Sequence, residues 1–160
     1  RHVSLSTCGL VDQIYRLMEY NLQLTLSVSL HAPNDEIRSR MMPVNRRWPV
    51  AALLKACRDY AEKTGRRISF EYAMVSGVND TDGCAQELGR RLRGMLCHVN
   101  LIPVNEVPGK EQRRSPVKRV RAFSAILERY GIPVTVRRTL GSDINASCGQ
   151  LRRQAGETKD

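Results

Sequence analysis

The sequence predicts an α/β fold with mostly parallel strands flanked by helices, and three observations carry that expectation. Five short runs place apolar residues at every second position, and longer runs between them place apolar residues three and four apart. The two kinds alternate along the chain, in the order that builds a parallel sheet with crossover helices. No internal repeat or low-complexity stretch interrupts them. At 160 residues the chain is sized for one domain, long enough to bury roughly 70% of its unfolded surface.

Residues 2–7 read as the first strand, with Val3 and Leu5 on one face and Ser4 and Ser6 on the other. A helix over Val11 to Tyr20 follows, striped by Ile14, Leu17 and Met18. Residues 22–31 carry the clearest periodicity: Leu22, Leu24, Leu26, Val28 and Leu30 alternate with Gln23, Thr25, Ser27, Ser29 and His31. Period two gives one apolar and one polar face. In a two-layer sheet the polar face meets solvent. In a β/α barrel it lines a lumen, and Ser29 and His31 then stand at the working mouth, at the carboxyl ends of the strands. The residues alone leave both geometries open.

Asn34-Asp35 caps a short helix running through Met41. The loop with Arg46, Arg47 and Trp48 reads as a solvated linker with one anchoring indole, or as an RNA-contacting loop. Pro49 to Thr64 is a helix opened by proline, stopped by Gly65, and striped by Val50, Leu53, Leu54 and Cys57. Ile68 to Val75 is the next strand, with Glu71 either a barrel-interior acid or an exposed charge. Gly77 to Asp80 turns the chain into a helix carrying Cys84, Leu88 and Leu92. Cys97 to Val104 is a strand broken by Pro103, with Asn105 just past its end. After a polar loop, Glu106 to Arg114, a helix runs from Ser115-Pro116 to Gly131, and Pro133 to Val136 is the last strand.

Lys+Arg 26 against Asp+Glu 16 gives net +10, a balance that favours a polyanionic partner. Aromatic residues are only 5%, which argues against a base-stacking platform. No apolar run approaches membrane-spanning length, and the start has no signal-peptide architecture. Opening directly into a strand is unusual for a natural beginning. The five cysteines (8, 57, 84, 97 and 148) are odd in number and lack Cys-x-x-Cys spacing, so a reducing cytoplasm is expected and not a disulfide framework or zinc site.

One stretch stands out, Arg137-Arg138-Thr139-Leu140-Gly141-Ser142-Asp143-Ile144-Asn145-Ala146-Ser147-Cys148-Gly149-Gln150-Leu151. Small neighbours leave the Cys148 sulfur approachable, and two cations upstream favour thiolate over thiol; the alternative is a small buried hydrophobe in a turn. With His2-Val3-Ser4-Leu5-Ser6-Thr7-Cys8-Gly9, Ser29-Leu30-His31-Ala32-Pro33-Asn34-Asp35 and Val99-Asn100-Leu101-Ile102-Pro103-Val104-Asn105, this stretch resembles the RlmN/Cfr family of radical S-adenosylmethionine (SAM) enzymes, which methylate an adenine of ribosomal RNA. The likeness runs from the first residue to Leu151. It divides the chain into 1–151, a partial barrel with a methyl-carrier cysteine loop, and 152–160, a polar tail.

The resemblance implies the C-terminal part of an open six-stranded (β/α) radical-SAM barrel, most of its strands three to six. It implies SAM held by Ser6, Ser29, Leu30, His31 and Asn105, with Cys148 becoming an S-methylcysteine intermediate from which the methyl carbon passes to C2 of adenine. Each residue has a plainer alternative: Ser6 and Ser29 as polar-face strand residues, His31 as a hydrogen-bonded strand end, Asn105 as a turn residue. A [4Fe-4S] cluster belongs to the family, but its Cys-x-x-x-Cys-x-x-Cys ligands are absent from this sequence, so no metal ligand is expected here and the chain alone is expected to be inactive. The implied partners are ribosomal RNA, transfer RNA as an open second substrate, and an electron donor, with a monomer as the complete form and no membrane. The alternatives are a non-catalytic basic RNA-binding module, a Cfr-type C8 methyltransferase, or a truncated gene remnant.

Overall fold

The computed structural model describes residues 3–138 apart from 107, 108 and 110. Five parallel strands, β1 (Val3–Thr7), β2 (Leu24–Ser29), β3 (Ile68–Met74), β4 (Cys97–Pro103) and β5 (Val134–Val136), form one sheet whose spatial order is the chain order. The helices α1 (Val11–Glu19), α2 (Asp35–Met41), α3 (Val50–Thr64), α4 (Asp82–Leu92) and α5 (Val117–Arg129) fall between successive strands, and a short 3-10 turn, Pro43–Arg46, separates α2 from α3. The expected alternation is present, with one strand more than the four implied by strands three to six.

Stepping one strand over in the same direction after every helix, with right-handed crossovers, puts all the helices on one face. Burial follows that winding. Leu26, Val28, Phe70, Tyr72, Val99 and Leu101 turn inward onto Ile14, Leu53, Leu88 and Phe123 and are almost wholly buried in one continuous core. The other face is polar, with Ser27 level with Ser69, and Ser29 level with Glu71, Asn100 and Thr135. Among the described residues the sheet is open, with β1 and β5 at its edges. The apolar pattern runs off the β1 edge, where Val3 and Leu5, beside Leu24 and Leu26, stay 58% and 43% exposed.

The strand expected over 22–31 is shorter at both ends. Asn21 turns the chain with positive φ, and Leu24 donates to the Leu22 carbonyl, so Leu22 lies in a turn and is exposed. At the other end the amides of both Leu30 and His31 donate to the Glu71 carbonyl, which ends the ladder. His31 therefore stands just past the strand, not within it.

Helix ends are satisfied largely as the residues suggest. Asn34 accepts from the Ile37 amide and Thr81 from the Cys84 amide. Pro49 has no side chain to cap α3, and the Asp35 carboxylate takes the Val50 amide instead, at 2.8 Å. This also places an anion at the positive end of α3.

Gly89 in α4 is a packing glycine. A Cβ there would lie 2.4 Å from Tyr130 Cδ2 and 2.7 Å from its Cγ, so the ring lies directly on the helix backbone. Glycine ordinarily costs a helix about 1 kcal/mol relative to alanine. Here overpacking outweighs that gain, and Gly89→Ala should destabilise the fold by about 1–3 kcal/mol in urea unfolding. Gly83→Ala in the same helix meets only Thr81 Oγ1 at 3.8 Å and should be neutral or stabilising. Equal, raised midpoints for both variants would contradict the seating of Tyr130.

Candidate functional site

The carboxyl ends of parallel strands leave carbonyls without ladder partners, and such groups must find donors when buried. At the end of β2 the donors are two buried side chains. The Arg38 guanidinium donates through Nε to the Leu30 carbonyl at 3.0 Å, and through Nη2 to the carbonyls of Cys8 at 2.8 Å and Ser29 at 3.0 Å. Its Nη1 donates to Asn45 Oδ1 at 3.1 Å. The next carbonyl, that of His31, accepts from Asn79 Nδ2 at 2.7 Å, and the same nitrogen reaches the Ala73 carbonyl at 2.7 Å. Asn79 Oδ1 accepts from the Val75 amide at 2.8 Å, and the Asn79 carbonyl accepts from the Tyr72 hydroxyl at 2.7 Å. Arg38 and Asn79 are both fully buried.

His31 adopts φ 61, a left-handed conformation that is uncommon outside glycine and is enriched in asparagine, aspartate and histidine. Its Nδ1 accepts from the Ala73 amide at 2.9 Å. A ring nitrogen that accepts carries no proton, so the neutral ring holds its proton on Nε2. Burial, with the Arg38 charge as the second cause, lowers its pKa from 6.5 to about 4. At neutral pH this imidazole is a single fixed N–H donor.

Of the residues expected to bind SAM, Ser29, Leu30 and His31 come together at this rim. Leu30 contributes only backbone, since its side chain is wholly in the core. Ser6 lies on β1 level with Ser27, facing the same side as Ser29 but one pleat earlier. Asn105 follows β4, two strands across from β2. Cys148 lies outside the described residues.

Glu71, left open between lumen acid and exposed charge, belongs to a half-buried polar row. Its Oε2 accepts from Asn100 Nδ2 at 2.9 Å and its Oε1 from the Ser69 hydroxyl at 3.4 Å, while Thr135 donates to Asn100 Oδ1 at 3.2 Å. It is the only acidic residue in the five described strands. In the loop after α2, the Arg47 guanidinium stacks over the Trp48 ring at 4.6 Å and Trp48 packs on the core, which matches an anchoring indole. Cys57 is buried in the α3 stripe as expected; burial pushes its thiol up to about 12 and that of Cys97 to about 11. Neither is poised as a nucleophile.

Sequence reading missed Arg38, Asn79 and Asp80. Asp80 accepts from the Gly77 amide at 2.9 Å and the Ser115 hydroxyl at 2.8 Å, tying the loop after β3 to the start of α5. An arginine in a polar seven-residue helix looks exposed, and Gly-Val-Asn-Asp looks like a turn. Nothing in the pattern marked Arg38, which lies in α2 nine residues beyond Ser29, and Asn79 and Asp80 carried only their place in the loop after β3.

No family-level sequence profile matches the chain. It is 54% identical over 159 residues to a protein of Clostridium perfringens named a probable dual-specificity RNA methyltransferase RlmN, covering 99% of this chain and 46% of that one. A protein of Pelotomaculum thermopropionicum with the same name is 57% identical over 155 residues, covering 96% and 42%. The chain thus spans a little under half the length of the curated relatives it matches. A crystal structure of a radical SAM methyltransferase from Sphaerobacter thermophilus superimposes with TM-score 0.87 at 53% identity, over 92% of this chain and 43% of that one. A domain of a pyruvate-formate lyase-activating enzyme from Bacteroides vulgatus shares the fold, with TM-score 0.68 at 18% identity.

The His31 environment has a pH signature. An unfolded histidine binds a proton below about 6.5, and the folded one resists until about 4. This contribution is present above pH 6.5 and is lost as pH falls toward 4, by roughly 3 kcal/mol at most. His31→Asn retains an acceptor for the Ala73 amide and tolerates the left-handed backbone. Thermal unfolding of this variant between pH 7 and 4.5 should show a shallower loss of stability than the parent; parallel curves would count against a buried neutral imidazole.

Proposed function

We propose that this chain, similar along nearly all its length to RlmN-type radical SAM RNA methyltransferases, is the C-terminal part of such an enzyme, which methylates C2 of an adenine in 23S ribosomal RNA. The observation that supports this most strongly is the rim at Ser29 to His31, in a sequence 54% identical to relatives so named. The donor set there suits SAM. A neutral N–H at His31 Nε2, the Ser29 hydroxyl and the polar row beside them match a ligand with carboxylate, hydroxyl and ring-nitrogen groups. Ser6 and Asn105 are proposed to complete the grip from neighbouring strands.

The donor set does not suit an iron–sulfur cluster. Among the described residues no three histidine, cysteine or carboxylate side chains stand together, and Cys57 and Cys97 are buried with raised pKa. The cluster's ligands are assigned to the length of the relatives that this chain does not span, and for that reason the chain alone is expected to be inactive. When bound, SAM supplies the methyl group. The role of Cys148 is to accept that methyl as a thiolate and present it to the base. Arg137 and Arg138, both exposed just upstream, favour the thiolate electrostatically. The net charge of +10 draws the RNA. Transfer RNA as second substrate, an electron donor, a monomeric complete form and a cytoplasmic setting belong to the same proposal; no described helix is long and apolar enough to cross a membrane.

In the complete enzyme, Cys148→Ala should reduce RNA methylation to background while SAM binding and cluster content stay near parental values. Mass spectrometry of the resting enzyme should find one additional methyl on the peptide holding Cys148. Cys57→Ala should instead lower stability by about 1–2 kcal/mol through a lost core contact and leave the chemistry intact. Methylation surviving in the Cys148 variant would refute the carrier role and favour a basic RNA-binding module; product methylated at C8 would identify the Cfr-type reaction.

A further inference from the structure

The rim's outward groups, Ser29 Oγ and His31 Nε2–H, belong to a segment whose inward groups are all engaged from behind. Three successive carbonyls, Ser29, Leu30 and His31, are each held by a side chain, the first two by Arg38 and the third by Asn79. The same two side chains extend to the neighbouring strands, Arg38 to the Cys8 carbonyl just past β1, and Asn79 to the Ala73 carbonyl in β3 and the Val75 amide just past it. The His31 ring in turn is fixed by the Ala73 amide, so its orientation depends on the strand end that Asn79 holds. Two features exceed what packing needs. Among the described residues no carboxylate lies within ion-pair distance of the buried Arg38, so its charge is spent on carbonyl dipoles at the rim. The left-handed backbone of His31 is uncommon for a residue other than glycine and persists only where its surroundings determine it.

We propose that Arg38 and Asn79 are positioning residues for the ligand site: from opposite sides of the Ser29–Leu30–His31 segment they clamp its carbonyls, and this sets where the Ser29 hydroxyl and the His31 N–H point. The inference rests on the SAM reading of the rim for the identity of the ligand, while the clamp itself is a statement about geometry. Arg38 does its part with a fork that lysine cannot reproduce, since one ammonium cannot reach three carbonyls and an amide oxygen from a single stem. Asn79 does its part as simultaneous donor and acceptor, which aspartate, an acceptor only, cannot do.

The test uses the full-length protein, reconstituted with its cluster, in the variants Arg38→Lys and Asn79→Asp, with Leu88→Ala as a core variant that takes no part in the clamp's hydrogen bonds. Two quantities are read in each folded variant: the dissociation constant for SAM by equilibrium dialysis, and the His31 titration by nitrogen-resolved nuclear magnetic resonance. Each clamp variant should weaken SAM binding by at least about tenfold, the scale typical of losing an outer-shell support. Each should also move the His31 titration from about 4 toward 6.5. Leu88→Ala should lower thermal stability and leave both quantities unchanged. A folded clamp variant with parental titration and parental SAM affinity overturns the proposal, as does a Leu88 variant that shifts both. If either clamp variant does not fold, the other carries the test, because each holds a different carbonyl. If the clamp variants move the His31 titration while His31→Ala leaves SAM affinity untouched, the clamp stands and the assignment of SAM to this rim fails.

Discussion

The buried guanidinium of Arg38 is the constraint on which the working end of this sheet depends. Parallel strands that stop inside a protein leave acceptors pointing at nothing, and each buried acceptor without a donor costs about 1–3 kcal/mol. Arg38 satisfies three such carbonyls from two strands and crosses to Asn45 beyond its own helix. Asn45 in turn donates to Asp35 and to the Ser39 hydroxyl, and Asp35 takes the first amide of α3. One network thus runs from the ends of β1 and β2 through α2 to the start of the longest helix. A buried cation is costly to desolvate, and burial does lower the Arg38 pKa; four hydrogen bonds to oxygen offset that cost. Without it, the end of β2, the turn into α2 and the start of α3 would lose their common reference.

Asn79 performs the equivalent service one strand further along, and the two devices differ in kind. Arg38 arrives from the helix that follows β2, whereas Asn79 arrives from the loop that follows β3. That loop is itself secured by Asp80 to Ser115 and by the Ser76 amide to the Arg113 carbonyl. The rim is therefore braced by sequence-distant segments, so its geometry exists only once four strands and their crossovers have assembled. Local propensity contributes little to it. The left-handed His31 is the clearest sign, since its carbonyl is held by Asn79 and its ring by the Ala73 amide.

Much of the fold was legible because hydrophobic period reports burial directly. The alternation at Leu24, Leu26 and Val28 survives as a buried face, and the stripe of α3 survives as core contacts of Leu53, Leu54 and Cys57. The ends were less legible. Leu22 continues the pattern but falls in a turn, since Asn21 breaks the strand with a backbone conformation that periodicity does not encode. The site divided along the same line. Ser29 and His31 were visible as polar positions at the end of an apolar strand. Arg38 and Asn79 were not, since their roles come from reaching carbonyls, and carbonyls are identical at every residue. Cys148 stood out by its small neighbours and the two arginines upstream, but its role as methyl carrier came from motif resemblance alone.

Charge adds a final distinction between the surface and the site. The chain carries net +10, yet neither His31 nor Arg38 offers a ligand free positive charge at the rim. His31 is held neutral at physiological pH, and the Arg38 cation is turned inward onto carbonyl oxygens. Glu71, the acid of the polar row, is bonded to Asn100 and Ser69. Exposed cations such as Arg46, Arg113, Arg137 and Arg138 provide a field that acts over roughly a Debye length, about 8 Å at physiological salt, and does not discriminate among polyanions. A neutral donor fixed to one tautomer and one direction does discriminate, since a misplaced acceptor loses the hydrogen bond outright. Attraction and recognition thus fall to different groups, and the buried clamp lets the His31 donor stay neutral inside a strongly basic protein.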